Sequence, residues 1–305
     1  MPNAIDKVPV IQAELDKVAV GELTSGWMEL NGELVKYSGG NEVKIPEMIM
    51  DGLADYDRAK GFVEGSIEVK WKTYEMSQDR GRSFSFDEND VDETNFILTA
   101  SRVTGEFQRV HVIPEIDAYR YSKIAALAKE ANRFRAGYTP SADDILTQLY
   151  ADLGEVTDLY GEENVIITMN SKVARILDLS KELSKSISAG EFKQGNVSLK
   201  IKMLDETYPI IRVPSARMKS EYEFLTGKSG KEKGGFAPTS GAKDINWIIS
   251  AKRSPIAVSK TDEMRAFDPK TNQLARAWKL DYRKFHELWV PKNKLDGIFV
   301  NLKQS

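Results

Sequence analysis

Gly227-Lys228-Ser229 has the ending of a phosphate-binding loop. That motif also requires a glycine at position 222, where Tyr222 stands, and an apolar helix behind it that is absent here. A flexible Gly/Lys/Ser-rich loop over 227–243 is the better reading. Asp87, Asp90, Asp92 and Glu93 are carboxylates close enough in sequence to chelate a hard cation. They lack EF-hand glycine spacing, and helix N-termini attract acids through the dipole alone. Capping or pairing with a neighbouring subunit explains them without a metal. Glu115 and Asp117, as a general acid and base, meet the same objection.

Histidine occurs only as His111 and His286, and no G-x-S-x-G elbow lies near either. The first is expected to end a helix, and both read as structural. The chain has no cysteine, which removes disulfides, thiolate metal ligands, iron–sulfur clusters and a cysteine nucleophile together. The expectation is therefore no enzyme, no metal and no cofactor. Near the C-terminus, Arg276, Lys279, Arg283 and Lys284 interleave with Trp278, Tyr282 and Phe285. Basic and aromatic residues together can bind nucleic acid. Asp281 and Glu287 dilute the field, so a solvated face or a protein interface fits better.

Composition bounds the class. Among 305 residues, 43 Lys+Arg stand against 46 Asp+Glu, a net charge of −3, which argues against a nucleic-acid binder working through overall charge. Hydrophobic residues at 41% are enough for a packed core. The N-terminus lacks the basic start and apolar run of a signal peptide, and no run of about 18 apolar residues could span a membrane. These features imply a soluble α+β protein.

The elements that must position these residues begin with an irregular stretch, 1–45. Short strands are expected at Trp27–Leu30, Leu34–Tyr37 and Val43–Ile45, with turns at Asn31-Gly32 and Ser38–Asn41. So little apolar density reads as an arm that borrows its core from elsewhere. Ile67, Val69, Trp71 and Thr73 alternate with Glu68, Lys70, Lys72 and Tyr74, which is period 2. A second strand follows at Ser83–Phe86, giving a two-stranded excursion that turns at 77–82. An isolated hairpin is marginal in water, so this one is expected to lie on a partner surface.

A capping box at Asp90–Glu93 starts a long helix with Phe96, Ala100, Val103, Phe107 and Val110 on one stripe. Ile113-Pro114 should stop it and begin a second helix. Helices at 141–160 and 171–179, with strands at 164–169, 197–203 and 209–214, form a compact α/β unit. Further strands are expected at 245–250, 256–259, 274–280, 283–290 and 297–302.

The segment Asp79–Thr94 fits the pattern DRG-x-x-F-x-x-D-x-x-D-V-D-E-T at every fixed position. It resembles a signature of tailed-phage major capsid proteins. Val43–Pro46, Gly52–Arg58, Val112–Arg120, Phe285–Val290 and Gly297–Val300 resemble the flanks and closing strands of that family. The resemblance implies the Hong Kong 97-type capsid fold, an α+β fold with an N-terminal arm (1–45), an extended β-hairpin loop (46–90), a peripheral domain with a long spine helix (91–135), an axial α/β domain (136–245) and return strands of the peripheral domain (246–305).

It further implies a major capsid protein that assembles itself into hexamers and pentamers, as an icosahedral shell around double-stranded DNA contacted non-specifically. Assembly in the host bacterial cytoplasm, portal and decoration proteins as partners, and no membrane association follow from the same resemblance. The roughly 45 residues before the hairpin are too few for a built-in scaffold, so a separate scaffolding protein is expected. An encapsulin-like cellular shell shares the fold and is the alternative. A soluble hydrolase would need a nucleophile–base pair that is missing. Trp71, Phe84 and Phe86 are expected as apolar contacts of the hairpin. Arg80, Arg82, Asp87, Asp90, Asp92 and Glu93 are expected at subunit interfaces, chiefly in ion pairs. The hairpin lysines Lys60, Lys70 and Lys72 are read as solvated rather than as sites of covalent crosslinking.

Overall fold

The computed structural model describes residues 22–58, 61–87, 102–180, 187–194, 197–228 and 232–303. Asp90, Asp92, Glu93, Lys60, most of the arm and the first half of the long helix lie outside the described residues. Among the described residues, no helix is long and apolar enough to cross a membrane.

Strands β1 (Lys36–Gly39), β2 (Glu42–Met50) and β3 (Ile67–Glu75) form one antiparallel sheet. The turn at Gly39-Gly40 has both residues at positive φ, where a side chain would be strained. Strand β4 (Gln78–Asp87) does not fold back on β3. The hairpin partner of β3 is β2, and β4 is hydrogen-bonded instead to a strand near the C-terminus. The expected turn at 77–82 is therefore a corner between two sheets.

Helix α1 (Ile113–Glu130) is preceded by helical residues 102–107 and a π turn, Gln108–Val112. The expected stop at Ile113-Pro114 does not occur. Pro114 has no N–H for the carbonyl four residues back, and its ring crowds that carbonyl. The wider turn relieves both, with the Ile113 N–H reaching the Gln108 carbonyl five residues behind. His111 thus sits inside a helix rather than at its end, and Val110, assigned to the apolar stripe, is exposed.

After β5 (Phe134–Ala136) come α2 (Ile145–Tyr160), β6 (Val165–Asn170) and α3 (Ser171–Asp178). Asn170 caps α3 through the Lys172 N–H at 3.0 Å. Next are β7 (Ile187–Gln194), β8 (Val197–Leu204), β9 (Tyr208–Val213), β10 (Tyr222–Leu225), β11 (Gly235–Pro238), β12 (Ile245–Ala251), β13 (Ile256–Phe267), β14 (Ala277–Trp289) and β15 (Ile298–Leu302). Part of the expected loop 227–243 is thus β11, which pairs with β10 as a two-stranded ribbon. The two C-terminal segments expected at 274–280 and 283–290 are one strand, β14.

Seven strands make the main sheet, in the order β5-β15-β12-β6-β9-β8-β7. Strands β6 and β12 are buried on both faces, as expected of a sheet covered on both sides. On one face, Leu149, Leu153 and Val156 of α2 pack against Ile167, Met169, Trp247 and Ile249. On the other, Tyr121, Ile124 and Ala128 of α1 pack against Ile166, Ile248 and Val300. Trp27 and Met28 join that second layer. They belong to a 3-10 stretch, Gly26–Leu34, where a strand was expected. The Asn31 amide donates to the Lys252 and Pro255 carbonyls, both at 2.7 Å, so it serves a tertiary contact rather than a hairpin turn.

Strands β12 and β15 lie inside this seven-stranded sheet, β12 between β6 and β15 and β15 between β12 and β5. Only β13 and β14 go on to form a separate three-stranded sheet with β4, in the order β13-β14-β4. Leu149 is fully buried between α2 and the main sheet. Leu149→Ala is expected to destabilise the chain by about 2–5 kcal/mol, measured as an earlier midpoint in urea unfolding.

Candidate assembly surface

The hairpin of β2 and β3 changes character along its length. Near its base, Val43, Ile45 and Tyr74 pack on Phe285, Trp289, Ile256 and Val258 of this chain's own core. Farther out the register sets Pro46 against Trp71, Met48 against Val69 and Met50 against Ile67. Directly opposed residues share a face, so six apolar side chains line one side of the distal hairpin. The other side pairs Glu47 with Lys70 and Ile49 with Glu68.

Nothing among the described residues covers the apolar side: Met48, Met50, Ile67, Val69 and Trp71 are all exposed. At the tip, Leu53 is fully exposed and Phe62 is 88% exposed, its ring 4.8 Å from that of Tyr56. Burying each such side chain is worth on the order of 1.5–3 kcal/mol. An exposed contiguous strip of this kind marks an interaction surface. Lys36 places its ammonium 4.4 Å from the centre of the Trp71 ring.

The corner between β3 and β4 falls at Met76-Ser77, and a buried carboxylate fixes it. Glu287, on β14, has no solvent-exposed side-chain area. Its Oε2 accepts from the Ser77 N–H at 2.9 Å and the Ser77 hydroxyl at 2.7 Å. Its Oε1 accepts from the Tyr119 hydroxyl, and from Lys123 Nζ at 2.7 Å. Burial pushes the Glu287 carboxyl up, yet the Lys123 charge and these hydrogen bonds outweigh it and hold it below its ordinary value. Beside it, His286 is held well below its ordinary value, first by burial and then by Arg120, Lys284, Arg80 and Lys123.

A second clamp fixes the end of the arm on α1. Asp117 accepts from the Thr24 hydroxyl at 2.7 Å, the Ser25 N–H at 3.0 Å and Arg217 Nη1 at 3.0 Å. Arg120, fully buried, donates to the Ser25 carbonyl and to Glu29 at 2.5 Å. Burial pushes the Glu29 carboxyl up, but Arg120 and Lys284 hold it below its ordinary value.

The residues singled out in the sequence are not brought to one place. Trp71 lies on the distal hairpin. Phe84 and Phe86 do not: they sit on β4 and pack within the chain against Met264, Trp278, Leu280 and Tyr282, with the Phe84 and Phe107 rings 4.9 Å apart. Arg80 is held inside the chain as well. Its Nε donates to Glu115 at 2.6 Å, and its two terminal nitrogens donate to the Leu225 and Gly235 carbonyls. These bonds tie β4 to α1 through Glu115 and to the β10–β11 ribbon through Leu225 and Gly235. Arg82 and Asp87 are exposed along the same strand. The sequence marks neither Arg120 nor Glu29 as a buried partner; it suggests Glu287 only as a charge diluting a basic face, and Asp117 as a dipole partner. No short-range pattern marks residues whose partners lie roughly 90–210 positions away.

No protein-family model matches the chain, and no curated protein matches its sequence. Solved structures do match. The capsid of cyanophage P-SCSP1u superposes with a TM-score of 0.55 at 12% identity, over 88% of this chain and 85% of that one. The mature capsid of bacteriophage PhiM1 gives 0.55 at 14% identity, over 88% and 83%. A virus-like particle from Pyrococcus furiosus gives 0.52 at 11% identity, over 97% of both chains. At these identities the likeness is one of fold.

His286 and Glu287, neighbours buried on β14, both make stability fall on acidification. His286 stays neutral in the folded chain but takes up a proton once unfolded below pH about 6.5, and Glu287 follows near the ordinary carboxylate value of about 4.3. Between pH 7 and 5 the unfolding free energy of the native chain, measured by urea titration, should drop by up to about 1.4 kcal/mol per pH unit from His286. His286→Asn should flatten that segment of the profile. Parallel profiles for the two proteins would exclude His286 as the cause.

Proposed function

We propose that this chain, which has the Hong Kong 97-type capsid fold, is a shell subunit: the major capsid protein of a tailed phage, self-assembling into hexamers and pentamers around double-stranded DNA. The observation that carries this reading is the distal hairpin. It exposes Leu53, Phe62 and the strip from Met48 to Trp71, with nothing among the described residues to cover them. A second subunit is the natural cover, because the same strip recurs on every copy.

Such contacts are heterologous, so rotation closes them into rings. Each is modest, and their sum over many copies is large. A shell built this way expands by rigid-body movement of subunits, the base of each hairpin held at its corner by Ser77 and Glu287. In this reading the role is structural rather than enzymatic. Scaffolding, portal and decoration proteins are separate chains, assembly takes place in the host cytoplasm, and the packaged DNA is met through its backbone charge. An encapsulin-like shell is the second reading, favoured by the match to the Pyrococcus furiosus particle over nearly the whole of both chains.

The test is light scattering and negative-stain microscopy of the purified chain, alone and with a candidate scaffold. Closed shells, or sheets of rings, of megadalton mass are the expected result. Nucleic acid inside them would favour the phage reading, and protein cargo the encapsulin one. Phe62→Asp together with Leu53→Asp should leave the far-ultraviolet circular dichroism unchanged and hold the chain to small species. A chain that stays monomeric at high concentration, with the hairpin intact and scaffold present, would overturn the proposal.

A further inference from the structure

A cleft of about 530 Å3 lies between β4, helical residues 107–116, the open end of the β10–β11 ribbon and β14. Phe84 and Phe107 line it edge to face. Its charges do not cancel evenly. Arg80 is neutralised by Glu115 at 2.6 Å, Lys284 by Asp262 at 2.5 Å, and Asp79 by Arg283 at 2.5 Å. Arg82, Lys228 and Lys233 also line the cleft, and none of the three makes an ion pair among the described residues. Glu232, in the same turn, directs its carboxylate to the Gly227 N–H at 3.0 Å.

The glycines of this turn have a definite use. Gly227 and Gly234 both sit at positive φ, +68° and +75°. A Cβ on the first would lie 3.2 Å from Arg82 Nη1, and one on the second 3.4 Å. Gly227 and Gly234 thus leave room for a guanidinium against their backbone, and the adjoining Lys228 and Lys233 line the same cleft. Arg80 ties the ribbon in place by donating to the Leu225 and Gly235 carbonyls.

We propose that this cleft binds a phosphate group, with Arg82 as its principal donor, Lys228 and Lys233 completing the charge, and the Phe84–Phe107 pair offering a surface for an attached ring. Three cations at the mouth of a partly apolar cleft focus a positive field on one point. A guanidinium matches two phosphate oxygens at once, which an isolated lysine does not. The volume lies within the range of small-molecule sites. The phosphate is either free or part of a nucleotide. The inference goes beyond the shell-subunit reading and does not depend on it.

Isothermal titration of the purified chain at fixed ionic strength tests it, with inorganic phosphate and deoxyadenosine monophosphate as ligands and chloride as the control. Saturable binding of one phosphate per chain is expected for at least one ligand. Deoxyadenosine monophosphate binding more tightly identifies a nucleotide site, and equal affinities identify a free-phosphate site. Arg82→Ala should weaken binding about tenfold or more, and Arg82→Lys should restore part of it. The Arg82 side chain is exposed and makes no hydrogen bond to another described residue, so these variants are expected to fold, and circular dichroism checks that. No saturable heat with either ligand, or an Arg82→Ala, Lys233→Gln variant that binds like the native chain, would overturn the site. Shell formation by that variant, scored separately by microscopy, keeps this outcome distinct from failure of the assembly reading.

Discussion

A carboxylate removed from water must be paired, or the chain must be protonated or rearranged around it. Glu287 has no exposed side-chain area, and both its oxygens are occupied by Ser77, Tyr119 and Lys123. Those donors come from the corner of the hairpin and from α1, while the acceptor stands on β14. One buried charge therefore joins three elements that are distant in sequence. The direction in which β3 leaves the body follows from it, and so does the placement of the apolar strip that β3 carries.

The body of the chain satisfies itself and the hairpin does not. The main sheet is covered by α2 and α3 on one face and by α1 with Trp27 and Met28 on the other. The hairpin has only its base buried, at Val43, Ile45 and Tyr74. Beyond Pro46 it is, among the described residues, two strands without a third layer, a form that is marginal in water. A monomer keeping this geometry exposes apolar surface that a neighbour can remove from water. This is a physical reason for a chain to be folded well and yet incomplete.

Local patterns in the sequence told part of this. The period of two from Ile67 to Thr73 located β3, and the apolar runs located β6, β9, β12 and β15, because burial on one or both faces leaves a mark on neighbouring residues. The pairing of β3 was misjudged because strand partners are set by the register of distant segments. Met76-Ser77 turns a corner only because Glu287 waits on β14 to receive it. Phe84 and Phe86 read as hairpin contacts to another subunit, since Trp278 and Leu280, which cover them within the chain, lie about 190 residues later. Proline at 114 was a true signal with a false consequence: it forbids a regular turn, and the chain answers with a wider one.

That wider turn sets an angle. Thr104, Gln108, Ile113 and Asp117 are buried in succession, at spacings of four, five and four residues. The step of five is the π turn. With a regular turn there, everything from Ile113 onward would be rotated by about 100° around the axis relative to the residues before it. Phe107 would still meet Tyr282, while Asp117 and Arg120 would point away from Thr24, Ser25 and Glu29. One added residue per turn thus works as a phase shifter: it lets a single rod address the three-stranded sheet with one half and seat the arm with the other.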